Sequence, residues 1–150
     1  MSEKNKLGLT LQFADKCLQK QLTKKMLKNV VQAALFAPAE ITLRFVDAEE
    51  GRILNRDYRG KDYATNVLTF AYSEDGGETT QADIILCTDV LQQEAAAQNK
   101  SIVDHALHLI VHGVLHAQGY DHEADDEAAE MEALEVEILE KLGVKNPYQA

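Results

Sequence analysis

Residues 101–122, SIVDHALHLIVHGVLHAQGYDH, contain all five histidines of the chain. Ser101 is a typical N-cap residue, and Gly119 stands where a left-handed residue ends a helix, so the segment predicts a helix from Ser101 to about Ala117. His105, His108, His112 and His116 follow one another at spacings of three, four and four. At those spacings the four side chains form one stripe along the helix.

The last part of this stripe predicts a metal site. Histidines at positions i and i+4 of a helix can bind one ion, and both His108/His112 and His112/His116 have that spacing. Gly119 allows the chain to reverse, which would bring His122 back beside His116 and away from His108. We therefore predict one divalent ion per chain, Zn2+, bound by His112, His116 and His122. Three protein ligands leave a fourth position for water, as in catalytic zinc sites, although histidine sites also accept nickel, cobalt or copper.

The residues beside the predicted ligands limit the reactions that the site can catalyse. The HxxxHxxGxxH spacing is that of metzincin proteases, but their catalytic glutamate is replaced here by Gly113, which cannot accept a proton. Gly113 therefore disfavours a peptidase. Glycine also costs about 1 kcal/mol inside a helix, so we expect another part of the molecule to approach its backbone closely. For His105 and His108 we expect a solvent-facing position or a supporting role beside a metal ligand.

The rest of the chain predicts strands and helices in irregular alternation. Predicted strands cover Leu7–Phe13, Ile41–Val46, Val67–Tyr72 and Asp83–Cys87, with a turn at Ser73–Gly77. Predicted helices run from Thr23 to Leu35, over Ala48–Asn55 behind an Asp47 cap, from a Thr88 or Asp89 cap to about Asn99, and onward from Asp121, with Met131 in the core. This order predicts one α+β (α/β-type) domain over residues 1–150, in which about five helices pack with a small four-stranded mixed sheet.

Composition narrows the class of protein. The chain has 150 residues, of which 45% are hydrophobic and 27% charged, as in an ordinary globular domain. No apolar run approaches the roughly 20 residues that span a bilayer, and no export signal is visible, so we expect a cytoplasmic protein with no membrane partner. Cys17 and Cys87 form no CxxC motif and are expected to be free thiols.

The charge is distributed unevenly. The net charge of −10 argues against a nucleic-acid partner. However, residues 1–61 hold 12 Lys and Arg against 7 Asp and Glu, whereas residues 62–150 hold 3 against 18. Because screening confines each patch to about 8–10 Å, the first half can attract a polyanion that the second half repels. A solvated helix face is an equally good interpretation of the lysines.

Two sequence blocks resemble a known family. Residues 112–122, HGVLHAQGYDH, are similar to the HGxLHxxGYDH signature of the YbeY family. A second block, LNRDYRGKD at 54–62 followed by TNVLTF at 65–70, is similar to the family pattern LNxxYRGKDxPTDVLSF. The differences in this block are Ala64 for proline, Asn66 for aspartate and Thr69 for serine. Outside the blocks, Ala82 stands for the glycine that the family has before the fourth strand. None of these differences removes a predicted ligand. Asn66 argues against any role that needs a carboxylate at that position.

The resemblance implies a function. The family consists of bacterial zinc-dependent endoribonucleases that prefer single strands and act in ribosomal RNA maturation, including that of the 3′ end of the small-subunit RNA, and in ribosome quality control. Carried over to this chain, it implies zinc on the three histidines, Arg59 as the functional arginine near the metal, and single-stranded or ribosomal RNA and the ribosome or its proteins as partners. A guanidinium suits this role because it can bind two phosphoryl oxygens at once.

Some roles and alternatives stay open from the sequence. Asp121 can orient a ligand or the water, and it can also cap the last helix. We expect Lys61, Arg56 and Arg52 to extend an RNA path from Arg59. One alternative is a metal hydrolase with a non-RNA substrate; another is a non-catalytic ribosome-assembly factor stabilised by its metal. Neither the bond that is cut, nor the nucleophile, nor the oligomeric state follows from the sequence.

Overall fold

A computed structural model of the chain describes residues 6–72, 79–120 and 125–148. The elements are β1 (Leu7–Phe13), α1 (Lys24–Ala33), β2 (Ala39–Val46), α2 (Ala48–Arg59), β3 (Val67–Ala71), β4 (Thr80–Cys87), α3 (Thr88–Ala97), α4 (Ile102–Ala117) and α5 (Asp125–Lys141). The predicted α+β fold, with a four-stranded mixed sheet and five helices over this part of the chain, is confirmed. None of the helices described is long and apolar enough to cross a membrane.

The sheet has the strand order β1-β2-β4-β3. Strands β1, β2 and β4 run parallel, and β3 pairs antiparallel with β4 as an edge strand. Alternate residues of β2 are buried over most of its length, which is the period that the sequence pattern predicts, whereas the last four residues of β4, Ile84–Cys87, are all buried. Phe13 and Phe45 are register partners and stack with ring centroids 4.7 Å apart. The parallel strands therefore form the rigid centre of the domain.

Apolar side chains cover both faces of the sheet. The larger core lies between one face and helices α1, α4 and α5, with Leu43, Ile84 and Met131 almost completely buried. A smaller core on the other face contains Leu68 and Ile85 and is covered by α2. Burial of Met131 confirms that it belongs to the core. Helix α4 is thus packed against the sheet and against helices α1, α3 and α5.

At Gly113, α4 approaches the sheet closely. A Cβ atom at this position would lie 3.0 Å from Ile84 Cγ2 on β4 and 3.2 Å from Thr69 Oγ1 on β3. Real Cβ atoms are rarely found this near to other heavy atoms, so only glycine fits without a shift of the sheet or the helix. The close approach that we expected from the sequence is confirmed. It fixes the position of the neighbouring His112 relative to the edge strand.

Most helix ends follow the sequence prediction. The hydroxyls of Thr23 and Ser101 accept hydrogen bonds from the backbone N–H groups of Met26 and Asp104, as N-caps do. Gly119 has φ +102° just after the end of α4, which confirms the predicted turn. The two cysteines are free, as expected, with Cys17 exposed and Cys87 buried.

The predicted boundaries of two helices are wrong, and β4 begins at Thr80 instead of Asp83. Helix α2 continues past Asn55 to Arg59 and ends at Gly60, whose φ of 71° provides a left-handed C-cap. The polar run before Gly60 hid this extension because it offers no apolar periodicity. Helix α3 is preceded by Cys87, which makes no side-chain cap bond, so neither Thr88 nor Asp89 is the cap.

The Thr88 and Asp89 side chains are used elsewhere. The Thr88 hydroxyl lies 2.9 Å from Asp15 Oδ2 and 3.2 Å from Val46 O, and the backbone N–H of Ala48 donates to Asp89 Oδ2 at 2.8 Å. Both residues therefore join α3 to loops at the ends of the strands. The predicted turn at Ser73–Gly77 and the predicted helix start at Asp121 lie outside the described residues.

Candidate metal centre

The rings of His112 and His116 are aligned on the last two turns of α4. Their centroids are 6.3 Å apart and their planes differ by 8°, so the two imidazoles are nearly parallel. This alignment follows from their i, i+4 spacing on a regular helix. Two parallel imidazoles one turn apart are the arrangement in which a helix supplies two ligands to one ion.

Hydrogen bonds at Nδ1 orient both rings. His112 Nδ1 lies 3.1 Å from Glu135 Oε1 of α5, and His116 Nδ1 lies 3.0 Å from the backbone oxygen of Tyr120. Carboxylate and carbonyl oxygens only accept, so each Nδ1 carries a proton, and in the neutral ring the lone pair is then on Nε2. This is the tautomer that binds a metal ion through Nε2. The donor set therefore fits zinc in its chemistry.

The turn after α4 places the Tyr120 oxygen. Gly119 takes up a positive φ, and the N–H of Tyr120 then donates to Leu115 O at 3.1 Å. The Tyr120 ring packs against Phe36 at 5.8 Å between centroids. The carbonyl that orients His116 is thus fixed by the same glycine turn that the sequence analysis used to place the third ligand.

The third predicted ligand, His122, and the predicted catalytic Asp121 lie outside the described residues. Within residues 6–72, 79–120 and 125–148, no group of three His, Cys, Asp or Glu side chains forms a complete metal site. The structure thus brings together two of the three predicted ligands. His122 as the third ligand stays a prediction.

Glu135 is a site residue that the sequence analysis missed. Its carboxylate is 1% exposed and receives hydrogen bonds from His108, His112 and Tyr148. Burial alone would raise its pKa, but these hydrogen bonds outweigh that effect and lower the pKa to about 2. A signal was available, because Glu135 stands at a core position of the α5 stripe, four residues after Met131 and three before Ile138. An acid at such a position needs buried partners.

The expectation of a solvent-facing position is wrong for His105 and His108. His105 is 4% exposed, and its Nε2 lies 2.9 Å from Glu94 Oε1 on α3. The His108 side chain is 12% exposed, and its Nε2 lies 3.2 Å from Glu135 Oε1. His108 therefore shares a carboxylate oxygen with His112. That contact is compatible with the other expectation, a supporting role beside a metal ligand.

Arg59 is exposed at the last turn of α2, near the edge strand β3. Its neighbour Tyr58 packs edge-on against Phe70 of β3, with centroids 5.3 Å apart. The preceding strand residue, Thr69, faces Gly113 of α4. Successive strand residues point to opposite faces, so α2 and α4 flank the same two residues of β3 from opposite sides. The end of α2, which carries Arg59, therefore lies on the other side of β3 from Gly113.

The other predicted substrate-binding residues are also at the surface. Arg56 and Lys61 are exposed, and Arg56 Nε lies 3.0 Å from Asp57 Oδ1. Such an exposed pair contributes at most about 1 kcal/mol, so a phosphate can compete for the guanidinium. Asn66, where the YbeY pattern has aspartate, donates to Glu94 Oε1 at 3.1 Å. Its side chain therefore has a structural partner.

Comparison with known proteins decides the family. The family model described as Endoribonuclease YbeY matches residues 5–143. The chain belongs to the YbeY family. This result confirms the resemblance carried by the two sequence blocks, and it places both blocks within the matched region.

Curated YbeY relatives cover nearly the whole chain. A protein named Endoribonuclease YbeY from Janthinobacterium sp. (strain Marseille) is 70% identical over 149 residues, covering 99% of this chain and 98% of its own length. One of the same name from Herminiimonas arsenicoxydans is 65% identical and covers 97% of each chain. The solution structure of TM1509 from Thermotoga maritima has a TM-score of 0.57 at 21% identity and covers 96% of each chain. That similarity supports the fold alone.

Proposed function

We propose that this chain is a metal-dependent endoribonuclease that cuts single-stranded segments of ribosomal RNA. In this proposal it binds one Zn2+ through His112, His116 and His122 and acts in the cytoplasm, in maturation of the small-subunit RNA 3′ end and in ribosome quality control. Membership of the YbeY family and the names of its relatives support the endoribonuclease activity. The observation that carries the metal site is the parallel pair His112 and His116, each with Nδ1 on an acceptor.

The residues around the pair suggest which group performs each part of the reaction. The chemistry that a bound divalent ion supplies is activation of water near neutral pH, which lessens the need for a strong protein base. Gly113 at the usual position of a protease base is then tolerable. Arg59 holds phosphoryl oxygens of the substrate through two parallel N–H donors and stabilises the charge that develops on them. Asp121 orients a ligand or the attacking water.

Exposed aromatic side chains support a single-stranded substrate. Tyr58 and Tyr63 are 68% and 54% exposed, and they flank Arg59 and Lys61 in sequence. Unpaired bases stack on exposed aromatic rings, whereas bases in a duplex are not available for stacking. Arg56 and Lys61 would follow the backbone of the same strand. This surface therefore combines the two features that bind single strands without reading their sequence.

The test compares three proteins on one RNA. Wild type, His116→Ala and Arg59→Glu are incubated with a ribosomal RNA fragment that has single-stranded tails, and the metal content of each protein is measured. We expect wild type to carry about one zinc and to cut the tails, and His116→Ala to lose both metal and cleavage. Arg59→Glu should keep its metal and lose at least about 100-fold in cleavage, because it removes the cation that stabilises the negative charge developing on the phosphate.

Lys141→Glu provides a matched charge reversal at the exposed end of α5, where Lys141 pairs only weakly with Glu137. It should cleave like wild type. If wild type carries zinc but cuts neither RNA nor a generic ester, and still associates with ribosomes, the nuclease proposal fails. The metal-stabilised assembly factor then replaces it. If wild type binds no zinc, the metal site itself is refuted.

A further inference from the structure

Glu135 joins helix α5 to the histidine stripe of α4. Its Oε1 lies 3.1 Å from His112 Nδ1 and 3.2 Å from His108 Nε2, and its Oε2 accepts from the Tyr148 hydroxyl at 2.8 Å. Both carboxylate oxygens are thus used inside the protein. A buried carboxylate is tolerated only when such donors compensate for its lost hydration. The three donors and the acceptor therefore act as one unit.

Tyr148 is held in place by the chain around it. Its ring packs edge-on against His108, with centroids 5.4 Å apart and planes at 84°. Its backbone N–H donates to Asn146 Oδ1 at 2.8 Å, and Lys100 Nζ donates to Pro147 O at 2.9 Å. These contacts anchor the segment after α5 against the start of α4. The hydroxyl is thus delivered to Glu135 by an ordered segment, although about half of the tyrosine is exposed.

The chemistry of the shared oxygen determines the histidine tautomers. A carboxylate oxygen cannot donate, so both imidazole nitrogens that contact Oε1 must carry protons. For His112 the proton is then on Nδ1, and the Nε2 lone pair is directed away from Glu135. Without Glu135, the proton could move to Nε2, and the ring could rotate about its side-chain bonds. Partners of this kind typically change metal affinity by about 10–100-fold.

We propose that Glu135 and Tyr148 are a positioning pair for the metal ligand His112. Glu135 fixes the tautomer and orientation of the His112 ring, and Tyr148 fixes Glu135 by occupying its second oxygen. The inference rests on the proposed function, because it assumes that His112 binds the ion. Tyr148 lies beyond residues 5–143, the region that matches the family model. The segment after α5 thus contributes to a site that is otherwise built from the matched region.

The test measures zinc affinity by competition with a chromogenic chelator at constant pH. The proteins are full-length wild type, Glu135→Gln and Tyr148→Phe. We expect Glu135→Gln to bind zinc about 10–100-fold more weakly, because an amide is a poorer acceptor and orients the ring less firmly. Tyr148→Phe keeps the ring against His108 and removes only the hydroxyl. We expect it to weaken zinc binding by roughly threefold to tenfold.

Two matched variants control for charge and for the loss of a hydroxyl. Glu140→Gln removes an exposed acid from the same helix. Tyr72→Phe removes another tyrosine–carboxylate bond, that between the Tyr72 hydroxyl and Asp83 Oδ2 at 2.9 Å near the end of β3. Both should bind zinc like wild type. A loss of affinity in either control as large as in its test variant would overturn the assignment.

A second measurement separates positioning from mere stabilisation. Nitrogen-15 correlation spectra of the metal-free protein report which ring nitrogen of His112 carries the proton. We expect the proton on Nδ1 in wild type and a detectable Nε2-protonated population in Glu135→Gln. If both variants only lower the thermal midpoint, while zinc affinity and the His112 tautomer stay unchanged, the pair is structural and the proposal falls. If Glu135→Gln does not fold, Tyr148→Phe still decides the question.

These outcomes are distinct from failure of the proposed function. If wild type binds no zinc, the metal site is wrong, and the positioning role falls with it. If wild type binds zinc tightly and both variants match it, the metal site stands and only the positioning pair is refuted. RNA cleavage is not needed for either conclusion, because both readouts concern binding and protonation.

Discussion

The two halves of the α4 histidine stripe use opposite ring nitrogens. In the N-terminal half, His105 and His108 direct Nε2 to the carboxylates of Glu94 and Glu135. In the C-terminal half, His112 and His116 direct Nδ1 to acceptors. Nε2 lies at the far end of the ring, so the first pair reaches out to neighbouring helices. The second pair is held through Nδ1, the ring nitrogen nearer the backbone.

This difference shows how one repeated residue can have two tasks. The spacing of three, four and four places all four rings on one face, but it does not assign their nitrogens. The neighbours assign them, because α3 and α5 each place a carboxylate beside the N-terminal half and the Gly119 turn places a carbonyl beside His116. We therefore interpret the N-terminal half as a structural clamp and the C-terminal half as the metal-binding pair.

The largest expected effect is a difference in bound zinc between variants of the two halves. Because His112 is a proposed ligand, we expect His112→Ala to reduce bound zinc from about one equivalent to near zero. His105→Ala should retain about one equivalent, because its Nε2 contacts Glu94 and not the site. Elemental analysis after dialysis against a weak chelator measures both. Equal metal loss in the two variants would contradict the division of the stripe.

The stability of the metal-free protein should show the opposite order, with a larger loss in the variant of the N-terminal half. His105 is 4% exposed and bonded to Glu94, so His105→Ala removes a buried side chain and leaves a carboxylate that is only partly hydrated. We expect the metal-free protein to lose about 2–3 kcal/mol of unfolding free energy, measured by urea denaturation with a chelator present. Glu94→Gln keeps an acceptor oxygen and should cost less, about 1 kcal/mol. A larger loss in metal-free His116→Ala than in His105→Ala would reverse the assignment.

The sequence predicted the fold and the alignment of His112 and His116 for identifiable physical reasons. Alternation in the strands, the Thr23 and Ser101 caps and the Gly119 turn are local signals, and all are found in the structure. Gly113 was informative because a glycine inside a helix has a cost that only a close approach explains. The helix-period stripe also placed Met131 in the core.

What the sequence could not provide depends on contacts between distant segments. Glu135 lies 23 residues after His112, and only packing of α5 against α4 brings the two together. Thr88 and Asp89 have the composition of caps, yet they bond to Asp15 and Ala48 across the fold. In both cases a polar residue takes the partner that tertiary structure offers. The roles of Arg59, Asp121 and His122 stay predictions.

The smallest expected effect tests how the C-terminal half of α4 is held. Its contact with the sheet is made through the backbone at Gly113, where an added Cβ would meet Ile84 Cγ2 at 3.0 Å. Ile84 is completely buried in a strand that is paired on both sides, so it has little room to move. We expect the overpacking of Gly113→Ala to exceed the helix-propensity gain of about 1 kcal/mol. The net loss should be about 1 kcal/mol of unfolding free energy.

Gly51→Ala is the matched control for this substitution. It adds the same methyl group inside α2, where the nearest atom, Cys87 Sγ, is 3.3 Å away. The looser contact should let the propensity gain offset the crowding, so its stability should change by less than about 0.5 kcal/mol. If Gly113→Ala is instead as stable as wild type and binds zinc equally well, the sheet contact does not fix the metal-binding half. The acceptors on Nδ1 would then be the main constraint that separates the two halves of the stripe.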